Sequence, residues 1–147
     1  MERISREELL IKTATLFSLR ATCGRLQVGC VIAQEGRIIV TGYNGPPKGL
    51  PHCHGDICDI NKSCPRAIHA EANALDYAAK KGIPVEGCDI YITHSPCPTC
   101  SQRIFNSGIK RVVFLERFRE DTGILFLKNN GVIVQQWNTE TSELLEI

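Results

Sequence analysis

His69-Ala70-Glu71 and Pro96-Cys97-Pro98-Thr99-Cys100 are the residues of this 147-residue chain whose types and spacing suit shared chemistry. Cys97 reads as a helix N-cap with Pro98 at the first helical position, where the missing N–H costs nothing. Cys100 follows three residues later, so both sulfurs sit at one helix end. Free N–H groups and the helix dipole there favour thiolate, the form that binds metal. His69, at the front of another expected helix, offers a third ligand. Three protein ligands leave a fourth position open, which is how a catalytic zinc differs from a structural one. Water at such a position has its pKa lowered to about 7. Glu71 lies two residues past His69 and so off its helix face. From there it bends over the water as general acid and base instead of ligating the metal.

Each piece alone has a plainer reading. A C-x-x-C pair serves redox chemistry or half a zinc ribbon, a histidine at a helix start serves as a cap, and a glutamate there answers the dipole. The conjunction is what carries weight. H-x-E followed by P-C-x-x-C, each at a helix start, is the signature of zinc nucleobase deaminases.

The surrounding elements have to position these residues. Ser5-Arg6-Glu7-Glu8 is a capping box, and Leu10, Ala14, Phe17 and Ala21 then recur at helical spacing to an end near Thr22. Residues 28–33 and 37–43 are β-branched runs joined at Glu35-Gly36 as a hairpin. Pro65 is expected to open a second helix with Ile68, Ala72, Leu75 and Ala79 buried, ended by Gly82. Strands are expected over 89–94, 111–115 and 132–137, with helices over 98–107 and 124–129 between them. The tail after Asn138 carries no signal. This order predicts an α/β fold, a three-layer α/β/α domain spanning 1–147 around a mixed five-stranded sheet.

A cysteine-rich loop spans about 44–66. Cys23, Cys53, Cys58 and Cys64 fall near turns, whereas Cys30 and Cys88 fall in or beside apolar strands as small core residues. Four soft ligands without an open position describe a structural zinc, with free thiols as the alternative. His52 or His54 is an alternative ligand to one of the cysteines. A long irregular loop needs some such anchor.

Composition excludes other classes. The net charge of +1 supplies no basic excess, so tight sequence-independent binding to nucleic acid is not expected. No apolar run approaches a membrane span of about 20 residues, and the charged N-terminus carries no signal-peptide core. A cytosolic setting follows, in which eight cysteines act as metal ligands more readily than as disulfides.

Taken with Arg25-Leu26-Gln27-Val28-Gly29 and Gly42-Tyr43-Asn44-Gly45-Pro46-Pro47, the motif residues closely resemble the deoxycytidylate (dCMP) deaminase family. The similarity runs from about Thr22 to about Val134. The zinc motif alone is shared with tRNA adenosine, guanine and riboflavin-precursor deaminases, and the G-Y-N-G-P-P stretch with Gly49-Leu50-Pro51-His52-Cys53 narrows it. The resemblance implies a cytidine-deaminase-like fold and hydrolysis of dCMP to dUMP and ammonia, feeding thymidylate synthesis. It implies a hexamer, activation by dCTP, inhibition by dTTP, and a second zinc at the loop cysteines. By position, Asn44 is implied to hold the sugar 3′-hydroxyl, Arg25 and Gln27 the phosphate, Ala70 N–H the base carbonyl, and the Ser95 carbonyl the exocyclic amine. Phe118 departs from the family, where many relatives carry a phosphate-binding tyrosine; Arg117 or Arg119 is the replacement charge at hand. The alternatives are a dCTP or dual dCMP/dCTP deaminase, a tRNA adenosine or single-stranded nucleic-acid deaminase, and a non-catalytic zinc module.

Overall fold

The computed structural model describes residues 1–53 and 64–147. His54 and Cys58, both weighed above as ligands, lie outside the described residues. Four helices and six strands follow in the order α1 (Arg6–Ser18), β1 (Gly29–Gln34), β2 (Arg37–Tyr43), α2 (Ala70–Lys81), β3 (Asp89–His94), α3 (Pro98–Asn106), β4 (Arg111–Glu116), α4 (Thr122–Asn129), β5 (Ile133–Asn138) and β6 (Glu143–Glu146). They form one mixed sheet ordered β2-β1-β3-β4-β5-β6, in which β3, β4 and β5 are parallel and the other neighbours antiparallel.

Strand alternation builds the layers. Cys30 and Ile32 of β1, Ile90 and Ile92 of β3, and Val112 and Phe114 of β4 face α2, α3 and α4, meeting Ala70, Ala74, Ile104, Ile124 and Leu127. The intervening Val31, Ala33, Tyr91 and Val113 face the other way and meet Leu10, Ile11 and Ala14 of α1. Strands buried on both faces read as continuous apolar runs, which is why their extents were legible. The turn between β1 and β2 has positive φ at both central residues, 50° at Glu35 and 78° at Gly36, the twist that a two-residue hairpin requires.

Three expectations are corrected. First, α1 ends at Ser18, not near Thr22. The N–H groups of Leu19, Arg20 and Ala21 tighten to i−3 bonds, and beyond them the Thr22 N–H is taken by the Asn44 carbonyl at 3.3 Å and the Ala21 carbonyl by the Gln27 side-chain amide at 3.2 Å. Second, Pro65 does not open α2. The Ile68 N–H and carbonyl both bond Gly45, at 2.8 and 3.1 Å, and this isolated bridge keeps the chain extended until His69. Of the expected stripe Ala72 is buried and Leu75 packs against the core, but Ala79 is exposed, and Ala70, Ala74 and Ala78 are buried beside them. Third, the sheet has six strands and not five. Asn138 Oδ1 accepts the N–H groups of Glu140 and Thr141, turning the tail back so that β6 pairs with β5. A four-residue strand with acidic ends gives no periodic signal of its own.

Among the described residues no helix is long and apolar enough to cross a membrane.

Candidate active site

At one end of the sheet the carboxyl ends of β2, β3 and β4 and the start of β1 gather above the N-termini of α2 and α3. Ligand sites in open α/β sheets form at such strand ends. The result is a cleft of about 670 Å³ whose lining includes Arg25, Asn44, His69, Glu71, Ser95 and Cys97. A larger groove of about 840 Å³ runs beside β2 and α2, but the chemistry collects in the smaller one.

His69 takes the N-cap backbone position of α2, yet its ring makes no capping hydrogen bond. The plain reading of this histidine as a cap is therefore excluded, and the ring points to Cys97 and Cys100 instead. His69 Nδ1 stands 3.5 Å from Cys97 Sγ and 3.3 Å from Cys100 Sγ. The three ligand atoms lie within 4.8 Å of one another, the one such group among the described residues. Zn–S bonds of about 2.3 Å and Zn–N bonds of about 2.0 Å at a tetrahedral angle place sulfur and nitrogen about 3.5 Å apart. The donor set fits zinc in both chemistry and spacing, and it leaves a fourth position open.

The electrostatics fit as well. Cys97 caps α3 and accepts the Cys100 N–H at 3.4 Å. The hydrogen bond that it shares with the Cys100 side chain pulls its thiol down to about 4. The same bond, with burial, pushes Cys100 up, so without a cation one proton stays on the pair. His69 is raised, first by its hydrogen bond to Cys97. Metal binding at this site is consequently coupled to proton release.

Glu71, in the first turn of α2, is only 4% exposed. Burial pushes its carboxyl up from the usual range, while a hydrogen bond with Cys100 and the charge of His69 pull the other way. A carboxyl moved toward neutrality suits a group that must take and return a proton. Ala70 is the first residue of α2, so its N–H has no intrahelical partner. Its carbonyl accepts the buried Cys30 thiol at 3.2 Å.

Two glycines let the ligand-bearing segments close. A Cβ on Gly42 of β2 would stand 2.5 Å from the Ala70 carbonyl oxygen. One on Gly123, in the first turn of α4, would stand 2.3 Å from the Pro96 carbonyl oxygen and 2.5 Å from Ser101 Oγ. Ser101 is fully buried, so nothing there yields. Gly123→Ala is expected to displace the Pro96-Cys97 turn and weaken zinc retention about tenfold, the lower range for changes behind metal ligands. Competition with a chromophoric chelator measures this, and unchanged affinity in a folded variant would refute it.

The other site residues separate. Asn44 is buried and ties the segment before β1 to the cleft: its Oδ1 accepts the Val28 N–H at 2.8 Å and its Nδ2 donates to the Leu26 carbonyl at 2.7 Å. Ser95 Oγ accepts the Phe118 N–H at 2.8 Å, which clips the segment after β4 to the cleft wall. Arg25 and Phe118 line the cleft. Gln27 does not, and its amide is spent on Ala21. Cys53 and Cys64 are hydrogen-bonded to each other, and Cys64 is pulled down, first by the Arg66 N–H. The described members of the second cysteine set, Cys23, Cys53 and Cys64, do not gather as closely as the first set.

Two cleft residues escaped the sequence reading, His94 and Arg103, while Arg119, named there as a replacement charge, lines the cleft as well. Arg103 stands three residues past Cys100, a helical spacing that was readable. His94 ends β3, and its role follows only from its neighbours. Thr93 Oγ1 accepts the Gly29 N–H at 3.2 Å and shares a hydrogen bond with His94 Nδ1 at 2.9 Å. His94 Nε2 faces the Glu116 carboxylate at 3.4 Å. Burial lowers the His94 pKa. The chain of bonds ties β1, β3 and β4 together at the cleft.

A layered α/β sheet with a His-Cys-Cys ligand set and a buried glutamate at two helix starts defines a zinc-deaminase class of protein. Residues 4–116 match the family described as the cytidine and deoxycytidylate deaminase zinc-binding region, and the chain belongs to that family. It is 42% identical to ComE operon protein 2 of Bacillus subtilis (strain 168) over 81% of this chain and 64% of that protein. It is 36% identical to the deoxycytidylate deaminase of Saccharomyces cerevisiae over 99% of this chain but only 49% of that protein. The chain thus spans less than two thirds of the length of these relatives. Among solved structures, the dCMP deaminase of cyanophage S-TIM5 in complex with dCMP and dUMP is 35% identical, with a TM-score of 0.83 over 92% of this chain and 99% of that one.

Proposed function

We propose that this chain hydrolyses dCMP to dUMP and ammonia with a zinc ion held by His69, Cys97 and Cys100. The observation that carries the reading is the buried Glu71 beside three ligand atoms gathered within 4.8 Å at one end of a nucleotide-sized cleft. A non-catalytic zinc module has no use for an acid/base residue over an open ligand position. The likeness to a dCMP deaminase structure over nearly its full length supports the substrate.

Zinc, when bound, lowers the pKa of water at its open position and so supplies the nucleophile near neutral pH. Glu71 accepts that water's proton, passes a proton to the ring nitrogen, and delivers one to the departing ammonia. The Ala70 N–H donates to the base carbonyl, and the Ser95 carbonyl accepts from the exocyclic amine, which fixes the ring over Glu71. Asn44, rigidly held by its two backbone bonds, receives the 3′-hydroxyl, and Arg25 serves the phosphate end. The full regulated enzyme under this reading is a hexamer, activated by dCTP and inhibited by dTTP, and works in the cytosol, where its thiols stay reduced. A second, structural zinc draws on Cys23, Cys53, Cys58 and Cys64; the Cys53–Cys64 contact and the lowered Cys64 thiol support it.

Two measurements on purified protein test this. Metal analysis is expected to return two zinc ions per chain, and one would remove the structural site. Ammonia release is then followed with deoxycytidine, dCMP, dCTP and tRNA, with and without dCTP and dTTP. Turnover of dCMP above the others is expected; activity confined to tRNA would reject the reading.

A further inference from the structure

Ala70 and Glu71 open α2. Where that first turn rests on the sheet therefore sets both groups proposed above to act on the base, the Ala70 N–H and the Glu71 carboxyl. The contact with the sheet is made at the Ala70 carbonyl. Cys30 of β1 and Gly42 of β2 are paired across the hairpin, so their side-chain positions share one face. The Cys30 thiol donates to the Ala70 carbonyl at 3.2 Å. A Cβ on Gly42 would stand 2.5 Å from the same oxygen and 3.0 Å from the Ala74 nitrogen. One strand supplies a donor and its neighbour supplies room. Together they form a seat for a single carbonyl.

A thiol is suited to that place. Cys30 and Ala70 are both 0% exposed, so bulk water does not compete for the oxygen. Burial first, and then the charge of Glu71, push the Cys30 thiol well up, and it keeps the proton that it donates. The donor is also carried by an inner strand: β1 is bonded to β3 as well as to β2, and Cys30 stands opposite Ile92 there. The seat is thus fixed from both edges while the helix rests on it. A thiol is a weak donor. Yet a misplacement of about 1 Å arising outside the reacting groups can cost about 100-fold in rate, so a fraction of that shift is measurable.

We propose that Cys30 is a positioning residue: by donating to the Ala70 carbonyl beside Gly42, it seats the first turn of α2 so that the Ala70 N–H and Glu71 meet the substrate base together. This rests on the deaminase reading above. The test compares the unmodified protein with Cys30→Ala and Cys30→Ser, which leave nearly the same space while only serine keeps a donor. Steady-state kinetics with deoxycytidine, dCMP and dCTP are measured alongside zinc content and amide hydrogen exchange of the peptide carrying residues 70–74. Cys30→Ala is expected to lower kcat about 3- to 10-fold for every substrate turned over, the rate equivalent of one lost hydrogen bond, with KM little changed. Exchange in 70–74 should quicken in the same variant while zinc content holds, and Cys30→Ser should recover part of both effects. An unchanged kcat in Cys30→Ala, a loss that merely follows zinc content, or an equal loss in Cys30→Ser overturns the role of the thiol and leaves the deaminase reading intact. An unmodified enzyme that turns over none of the three substrates overturns the deaminase reading and the positioning role with it.

Discussion

Glu71→Gln is expected to abolish turnover, by about 10⁴-fold or more, while zinc stays bound at full stoichiometry. General acid–base transfer by a positioned side chain contributes about 10² to 10⁴ in rate, and in the proposed mechanism one carboxyl serves the water, the ring nitrogen and the leaving amine. At about 1.4 kcal/mol per tenfold, the lower bound corresponds to roughly 5.5 kcal/mol of transition-state stabilisation. The substitution is close to isosteric, so a packing effect does not account for such a loss. Glu71 is almost completely buried at the ligand group, and His94, also in the cleft, is tied to Thr93 and Glu116. Single-turnover assays alongside metal analysis check the prediction. Residual activity within about 100-fold of the unmodified enzyme would remove Glu71 from the proton path.

Cys100→Ser is expected to lose one zinc per chain and all turnover. Cys100 is 3% exposed and lies 3.3 Å from His69 Nδ1, so its removal leaves one thiolate and one imidazole, too few to hold the ion in a three-ligand site. A serine hydroxyl is a harder and far less acidic donor. Zinc that binds only the folded state stabilises it by about 2.7 kcal/mol at a hundredfold excess over its dissociation constant. Its loss in a chain of this size corresponds to a fall in Tm on the order of 5–10 °C. Zinc titration, turnover and a thermal melt decide it together. A variant that keeps its full zinc complement would mean that Cys100 is not a ligand.

The parts of the molecule that were legible from sequence share a physical feature. The two-faced strands β1, β3 and β4 announce themselves because burial on both sides demands apolar residues at every position. The start of α3 is legible because Cys97 and Pro98 satisfy the cap locally. The errors fall where a distant partner overrides local preference. Pro65 is a good helix opener, but Ile68 is held extended by Gly45. Residues after Ser18 continue the helical pattern, but the Ala21 carbonyl and the Thr22 N–H bond Gln27 and Asn44. Gln27, expected at the phosphate end, has its amide on the Ala21 carbonyl, a partner that no local spacing announces.

What the sequence by itself determined is the chemistry of the site. Ligand type and the choice of acid/base depend on residue identity and on spacings of two and three along a helix start, and those are written in the chain. The tertiary structure decided everything that depends on separate segments meeting. It brings His69 to within 3.3–3.5 Å of two sulfurs that stand about thirty residues away in sequence. It turns His69 Nδ1 toward both sulfurs, and it buries Glu71 far enough to raise its pKa. It also sets Arg119 on the cleft rim while pairing Arg117 elsewhere. Those outcomes rest on the close approach of backbones at Gly42 and Gly123 and on the register of the parallel strands, and no local spacing encodes either.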